Sequence, residues 1–121
     1  MDSSRPRTGS PFAWGGRAMK RRIVEVMFAD RCPHLREVIE RVRDATMMRS
    51  CVAEVEIRLV LVETMVEACE RKFVGSPTVR VDGRDVERNL TSVMFGLHGR
   101  GYFVDGRVER IPPSDWIQRA L

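Results

Sequence analysis

Two β-rich runs separated by one amphipathic helix most strongly limit what this chain can fold into. Ile23 to Phe28 (IVEVMF) carries apolar side chains on both faces, as a strand covered on both sides does. Beyond the turn Ala29-Asp30-Arg31, Leu35, Val38, Ile39, Val42 and Ala45 recur at three- and four-residue steps. Arg36, Glu37, Glu40, Arg41 and Arg43 take the opposite face. That spacing predicts a helix of about three to four turns. Pro33 suits its first position, where a missing N–H costs nothing. Val55 to Val62 (VEIRLVLV) predicts the next strand, with Val55, Ile57, Leu59 and Leu61 pointing one way. Strand, helix and strand make a βαβ unit, which implies a parallel pair and a right-handed crossover.

The second half reads differently. A helix is expected over residues 64–73, with Met65, Val66, Cys69 and Phe73 on one face. Gly75-Ser76-Pro77 ends it, and Thr78 to Val81 predicts a strand. Asp82-Gly83 is a strong hairpin-turn signal. Residues 84–98 read as a connector with at most one helical turn. Gly101 to Asp105 (GYFVD) predicts a further strand and Asp105-Gly106 a second tight turn. Trp116, Ile117 and Ala120 mark a last short helix. The order is β-α-β-α-β-β-α. The expected fold class is therefore α/β, a parallel βαβ half joined to an antiparallel ββα half around a four-stranded mixed sheet.

Residues 1–18 are rich in Ser, Pro, Gly and Arg without periodicity, which predicts a disordered N-terminal tail ahead of a single domain over 19–121. Phe12 and Trp14 are suited to docking on a partner, but a floppy tail is the expected reading. The 121 residues suit one domain, and 43% hydrophobic content suffices for a core. The tail holds three arginines and one aspartate, so the domain carries only half of the net +4, with acids and bases interleaved. That pattern offers no basic stripe for nucleic acid. No apolar run approaches the ~20 residues that span a bilayer. The start of the chain lacks the apolar centre of a secretory signal, so a reducing cytoplasm is the expected location.

Cysteine and histidine carry the chemical interest. Cys51 and Cys69 are read as bystanders, Cys51 in a loop and Cys69 packed on the apolar face of the second helix. Cys32 falls between the first strand and the first helix, where helix-end N–H groups and the neighbouring Arg31 favour a thiolate, the form that attacks disulfides and binds metals. The run Cys32-Pro33-His34-Leu35 has no second thiol at the C-x-x-C position, which excludes a two-cysteine cycle within the motif. His34 can move a proton for Cys32, add a nitrogen ligand, or simply sit exposed at the helix start. His98 has the same open status in the connector. Paired metal-ligand spacings are lacking, so neither a structural zinc site nor any resident cofactor is expected. Pro77 opens a strand, where it cannot donate to the ladder. A cis bond or an ordinary trans proline after a helix end both fit the local residues. A cis bond would leave the Ser76 backbone as an edge for an extended substrate.

The stretch FVGSPTVRVDGRDVE (Phe73 to Glu87) carries a more specific likeness. With VEVMFADRCPHLREV ahead of it and GLHGRGYFVDGRVERIPPSDWIQRAL behind, it resembles short bacterial proteins of the thioredoxin superfamily, some labelled alkylmercury-lyase-like. The resemblance covers about residues 22–121. It implies a thioredoxin fold with Cys32 as reactive thiol and a cis proline at Ser76-Pro77 beside it. Pro33, Ser76, Pro77 and Thr78 are then the candidate substrate contacts. The family pattern carries a cysteine in the stretch matching Gly96 to Arg100, of the form G-L-S-C-R. Here that stretch holds His98-Gly99, so roles needing two sulfurs, carbon–mercury cleavage included, are not expected. The implied activity is monothiol exchange or mixed-disulfide formation with a small thiol or a disulfide-bearing protein. The alternative is a non-catalytic module holding a soft metal such as mercury. A partner-binding role through the tail and an open sheet edge is a third reading.

Overall fold

The computed structural model describes residues 19–90 and 94–121. The tail expected over residues 1–18, Phe12 and Trp14 included, lies outside the described residues, as do residues 91–93 of the connector.

The elements in chain order are β1 (Lys20–Ala29), α1 (Leu35–Met48), β2 (Ala53–Val62), α2 (Met65–Glu70), β3 (Thr78–Val81), β4 (Arg84–Asp85), β5 (Tyr102–Val104), β6 (Arg107–Glu109) and α3 (Ser114–Ala120). Four strands form one mixed sheet in the order β2-β1-β3-β4. β1 runs parallel to β2 over ten residues, from Lys20 opposite Ala53 to Ala29 opposite Val62. It runs antiparallel to β3, and β3 antiparallel to β4. The α/β class, the βαβ unit and the four-stranded mixed sheet are as the patterning predicts.

The sequence explains why β1 is central. Val24 and Val26 face one core with Val38, Val42 and Ala45 of α1, Ile117 of α3, and Val79 and Val81 of β3. Met27 and Ala29 face a second, smaller core with Val62, Ala68 and Phe73. A strand with apolar residues at both parities is the only kind that can be buried between two such layers.

Both Asp-Gly pairs make the turns they promise. Asp82 and Gly83 have φ values of 51° and 84°, and Asp105 and Gly106 have 49° and 81°. Positive φ at both central residues is the hairpin geometry that matches strand twist. Asp82 also pins its turn to β1, accepting from Ile23 N–H and from Arg22 Nη1, each at 2.9 Å. The Ile23 N–H first, and Arg22 with it, hold this carboxyl below the usual carboxylate range.

Three expectations need correction. The strand expected over Gly101 to Asp105 does not join the main sheet; β5 pairs with β6 in a separate two-stranded hairpin. The fourth strand is instead the two-residue β4, tied to β3 by the first Asp-Gly turn. The second helix is six residues long rather than ten. Thr64 starts it with a reciprocal cap, its hydroxyl accepting from Glu67 N–H while the Glu67 carboxylate accepts from Thr64 N–H. Lys72, at φ 54°, ends the helical path. So short a helix is oriented by Ala68 and the following Phe73, both buried, and this turns Met65, Val66 and Cys69 outward. Cys69 is thus exposed, not packed. Finally, α1 begins at Leu35 rather than Pro33, because the chain leaves β1 through Arg31 at φ 60° and a turn in which Leu35 N–H donates to the Cys32 carbonyl.

Candidate functional site

The end of β1, the turn into α1 and the loop before β3 converge on one depression of about 410 Å³. Cys32, Pro33 and His34 line it from the first turn, Ser76 from the loop, and Leu97, Gly99 and Arg100 from the connector. Arg31 and Arg110 complete its rim, with Asp30 beside them. Cys32 is half-buried, whereas Cys51 and Cys69 are exposed and do not line this surface. His34 is the N-cap of α1, so Cys32 lies two residues ahead of the cap, outside the first turn where the helix-end field is concentrated. His34 Nδ1 lies 3.6 Å from Glu37 Oε1.

The Ser76–Pro77 peptide bond is cis. The Ser76 backbone and hydroxyl, and the Gly75 and Pro77 carbonyls, are committed to the protein itself. Ser76 N–H donates to the His98 carbonyl at 2.8 Å, and Arg100 N–H donates to the Ser76 carbonyl at 3.0 Å. Ser76 and Gly99 thereby form a parallel bridge. The Ser76 hydroxyl accepts from Ala29 N–H at 3.0 Å, tying the loop to the end of β1. Thr78 Oγ1 donates to the Gly75 carbonyl at 2.7 Å, and Tyr102 O–H donates to the Pro77 carbonyl at 2.6 Å. The free Ser76 edge expected for an extended substrate is therefore absent: residues 98–100 occupy it. Pro77 and Thr78 are fully buried behind the depression, so neither reaches a substrate directly.

His98 is not among the residues that line the depression with Cys32. Its Nε2 lies 3.1 Å from the Val74 carbonyl, and its ring packs on Gly75 and Gly96. Gly75 is required twice over, by φ 127° and because a Cβ there would lie 2.7 Å from Arg100 Cβ.

Arg100 is the residue that sequence reasoning missed. Its side chain is 3% exposed and donates to Asp85 Oδ2 and Glu87 Oε1, both at 2.7 Å, and to Thr78 Oγ1 at 3.3 Å. The guanidinium also lies 3.9 Å from the centre of the Tyr102 ring. Burial works against its charge, but Tyr102, Asp85 and Glu87 outweigh that and hold it firmly protonated. Burial pushes the Tyr102 hydroxyl well above the usual phenol range, so it stays a donor to Pro77. Only the carboxylate pair at residues 85 and 87 hinted at this cluster, and nothing local assigns it a partner more than ten residues away.

Among the described residues, no group of three or more His, Cys, Asp or Glu side chains gathers where a metal ion could be held. No helix among them is long and apolar enough to cross a membrane. Fold and site together define an α/β protein with one half-buried thiol at a strand–helix junction. The chain matches no protein-family model, no curated protein and no solved structure.

Proposed function

We propose that this is a monothiol protein of thioredoxin-like fold, in which Cys32 exchanges with small disulfides. The observation that carries the reading is the shared depression: the one half-buried cysteine opens beside the Ser76–Pro77 loop. The strand order β2-β1-β3-β4, with β3 antiparallel to β1, supports the fold assignment. In the reaction, the Cys32 thiolate attacks one sulfur of a disulfide and the other sulfur leaves as a thiolate. An external thiol then attacks the mixed disulfide and releases Cys32, since neither other cysteine lines the site.

The occupied Ser76 edge favours a small thiol over a polypeptide, because no backbone groups are left there for strand addition. Arg31 and Arg110 at the rim outnumber Asp30, while Arg100 is neutralised by its own carboxylates. This balance favours a substrate that carries carboxylates. His34, on the same surface, is the candidate proton carrier; Pro33 and Ser76 are the remaining contacts.

Exposure alone ranks Cys32 as the slowest of the three thiols toward iodoacetamide, since Cys51 and Cys69 are more open. The proposal expects the reverse order at neutral pH, read peptide by peptide by mass spectrometry. Cys32 alkylating no faster than the other two would refute it. A second reading, a module that captures a soft metal such as mercury, is favoured by the presence of one sulfur, with His34 beside it, in that depression. Metal retained by the wild type and lost from Cys32→Ser, without any exchange activity, would select it.

A further inference from the structure

We propose that the outer edge of β2 pairs with β2 of a second copy of this chain, antiparallel and centred on Ile57. The two edges of the main sheet differ sharply. β4 is two residues long, the usual way a sheet edge is kept from pairing. β2 is ten residues long, without proline or glycine, and is hydrogen-bonded along its whole length on the β1 side only. Among the described residues, no strand pairs with its other side. Such an edge presents a row of open N–H and C=O groups.

The side chains say what covers it. Along β2 the residues around Ile57 read Glu56-Ile57-Arg58. Antiparallel pairing about Ile57 places Glu56 opposite Arg58 of the second copy, and Arg58 opposite its Glu56. These two side chains share one face of the strand and already attract one another within the chain, Arg58 Nε donating to Glu56 Oε2 at 2.6 Å. They are exposed, so the partner's charges can reach them. On the other face the same register sets Leu59 opposite Val55 and Ile57 opposite itself. Leu59 is 54% and Leu61 39% exposed, although both continue the row that Val55 and Ile57 begin against the core. One register thus pairs the charges on one face and covers the stranded leucines on the other. A strand of unrelated sequence has no reason to meet both conditions, whereas a second copy meets them by symmetry.

The test uses the full chain under reducing conditions, followed by sedimentation equilibrium. The wild type is expected to weigh about twice its 13.9 kDa at micromolar to sub-millimolar concentration. Glu56→Arg and Arg58→Glu each put two like-charged pairs across the two-fold, weakening the dimer about tenfold or more. The double variant E56R/R58E restores it. Mixing the two single variants gives a heterodimer, because one then carries only arginines and the other only glutamates at these positions. That recovery separates a charge effect from a folding defect. A wild type that stays monomeric throughout, or single variants that dimerise as well as the wild type, overturns the proposal.

Discussion

Arg100 offers the most demanding test of how this site is held. The substitution Arg100→Met keeps the length and apolar stem of the side chain but removes the guanidinium that Asp85 and Glu87 share at 2.7 Å. Both carboxylates are only 12% exposed, so water cannot replace the lost partner well. Removing one member of a buried ion pair costs about 3–5 kcal/mol, mostly because the remaining charge is stranded. The face-on contact with Tyr102 adds at most about 1 kcal/mol. A total near 4 kcal/mol is a large part of the 5–15 kcal/mol that holds a typical domain together. For a domain of about 100 residues it lowers Tm by about 15–30 °C. Urea unfolding followed by circular dichroism measures it, with the slope checked for two-state behaviour. Adding Asp85→Asn and Glu87→Gln to Arg100→Met should recover at least about half the loss, since no buried charge then lacks a partner. A loss below about 1 kcal/mol for Arg100→Met, or no recovery in the combined variant, would show that the cluster does not brace the site.

Two further outcomes follow from the same geometry. Gly75→Ala must place a Cβ at φ 127° and 2.7 Å from Arg100 Cβ, so it should destabilise by about 2 kcal/mol or more, whereas Gly106→Ala, with open space at φ 81°, should cost only about 1 kcal/mol in the same unfolding assay. Arg110→Glu should slow the reaction of Cys32 with a carboxylate-bearing aromatic disulfide a few-fold at low salt and leave its reaction with a neutral disulfide unchanged; equal effects on both reagents would remove charge from the account of substrate choice.

Long periodic segments were legible in the residues, and short or remote ones were not. The burial of Val38, Val42 and Ala45 follows directly from three- and four-residue spacing, and the central place of β1 from apolar residues at both parities. β4 has two residues, too few for any period to show. The Asp105-Gly106 turn pointed to a partner after β5, but β6 (Arg-Val-Glu) is exposed throughout, so its own residues show no strand pattern. In α2 fewer than two turns were available, and the apolar residues that suggested one face were overruled by the fit of Ala68 and Phe73. At the site, Cys32 and Ser76 line one depression. The closure of the Ser76 loop by residues 98–100 depends on backbone hydrogen bonds between segments over twenty residues apart, which side-chain patterning does not encode.

The cross-brace has a consequence for how such a surface can change over generations. Thr78 and Tyr102 both contact the Arg100 side chain, so exchanging one disturbs the fit of the others. Arg31, His34 and Arg110 stand at the solvent side of the depression and can be replaced singly at little thermodynamic risk. Selection can therefore retune what the sulfur meets by working on three loosely held positions, while the wall behind it stays inherited as one unit.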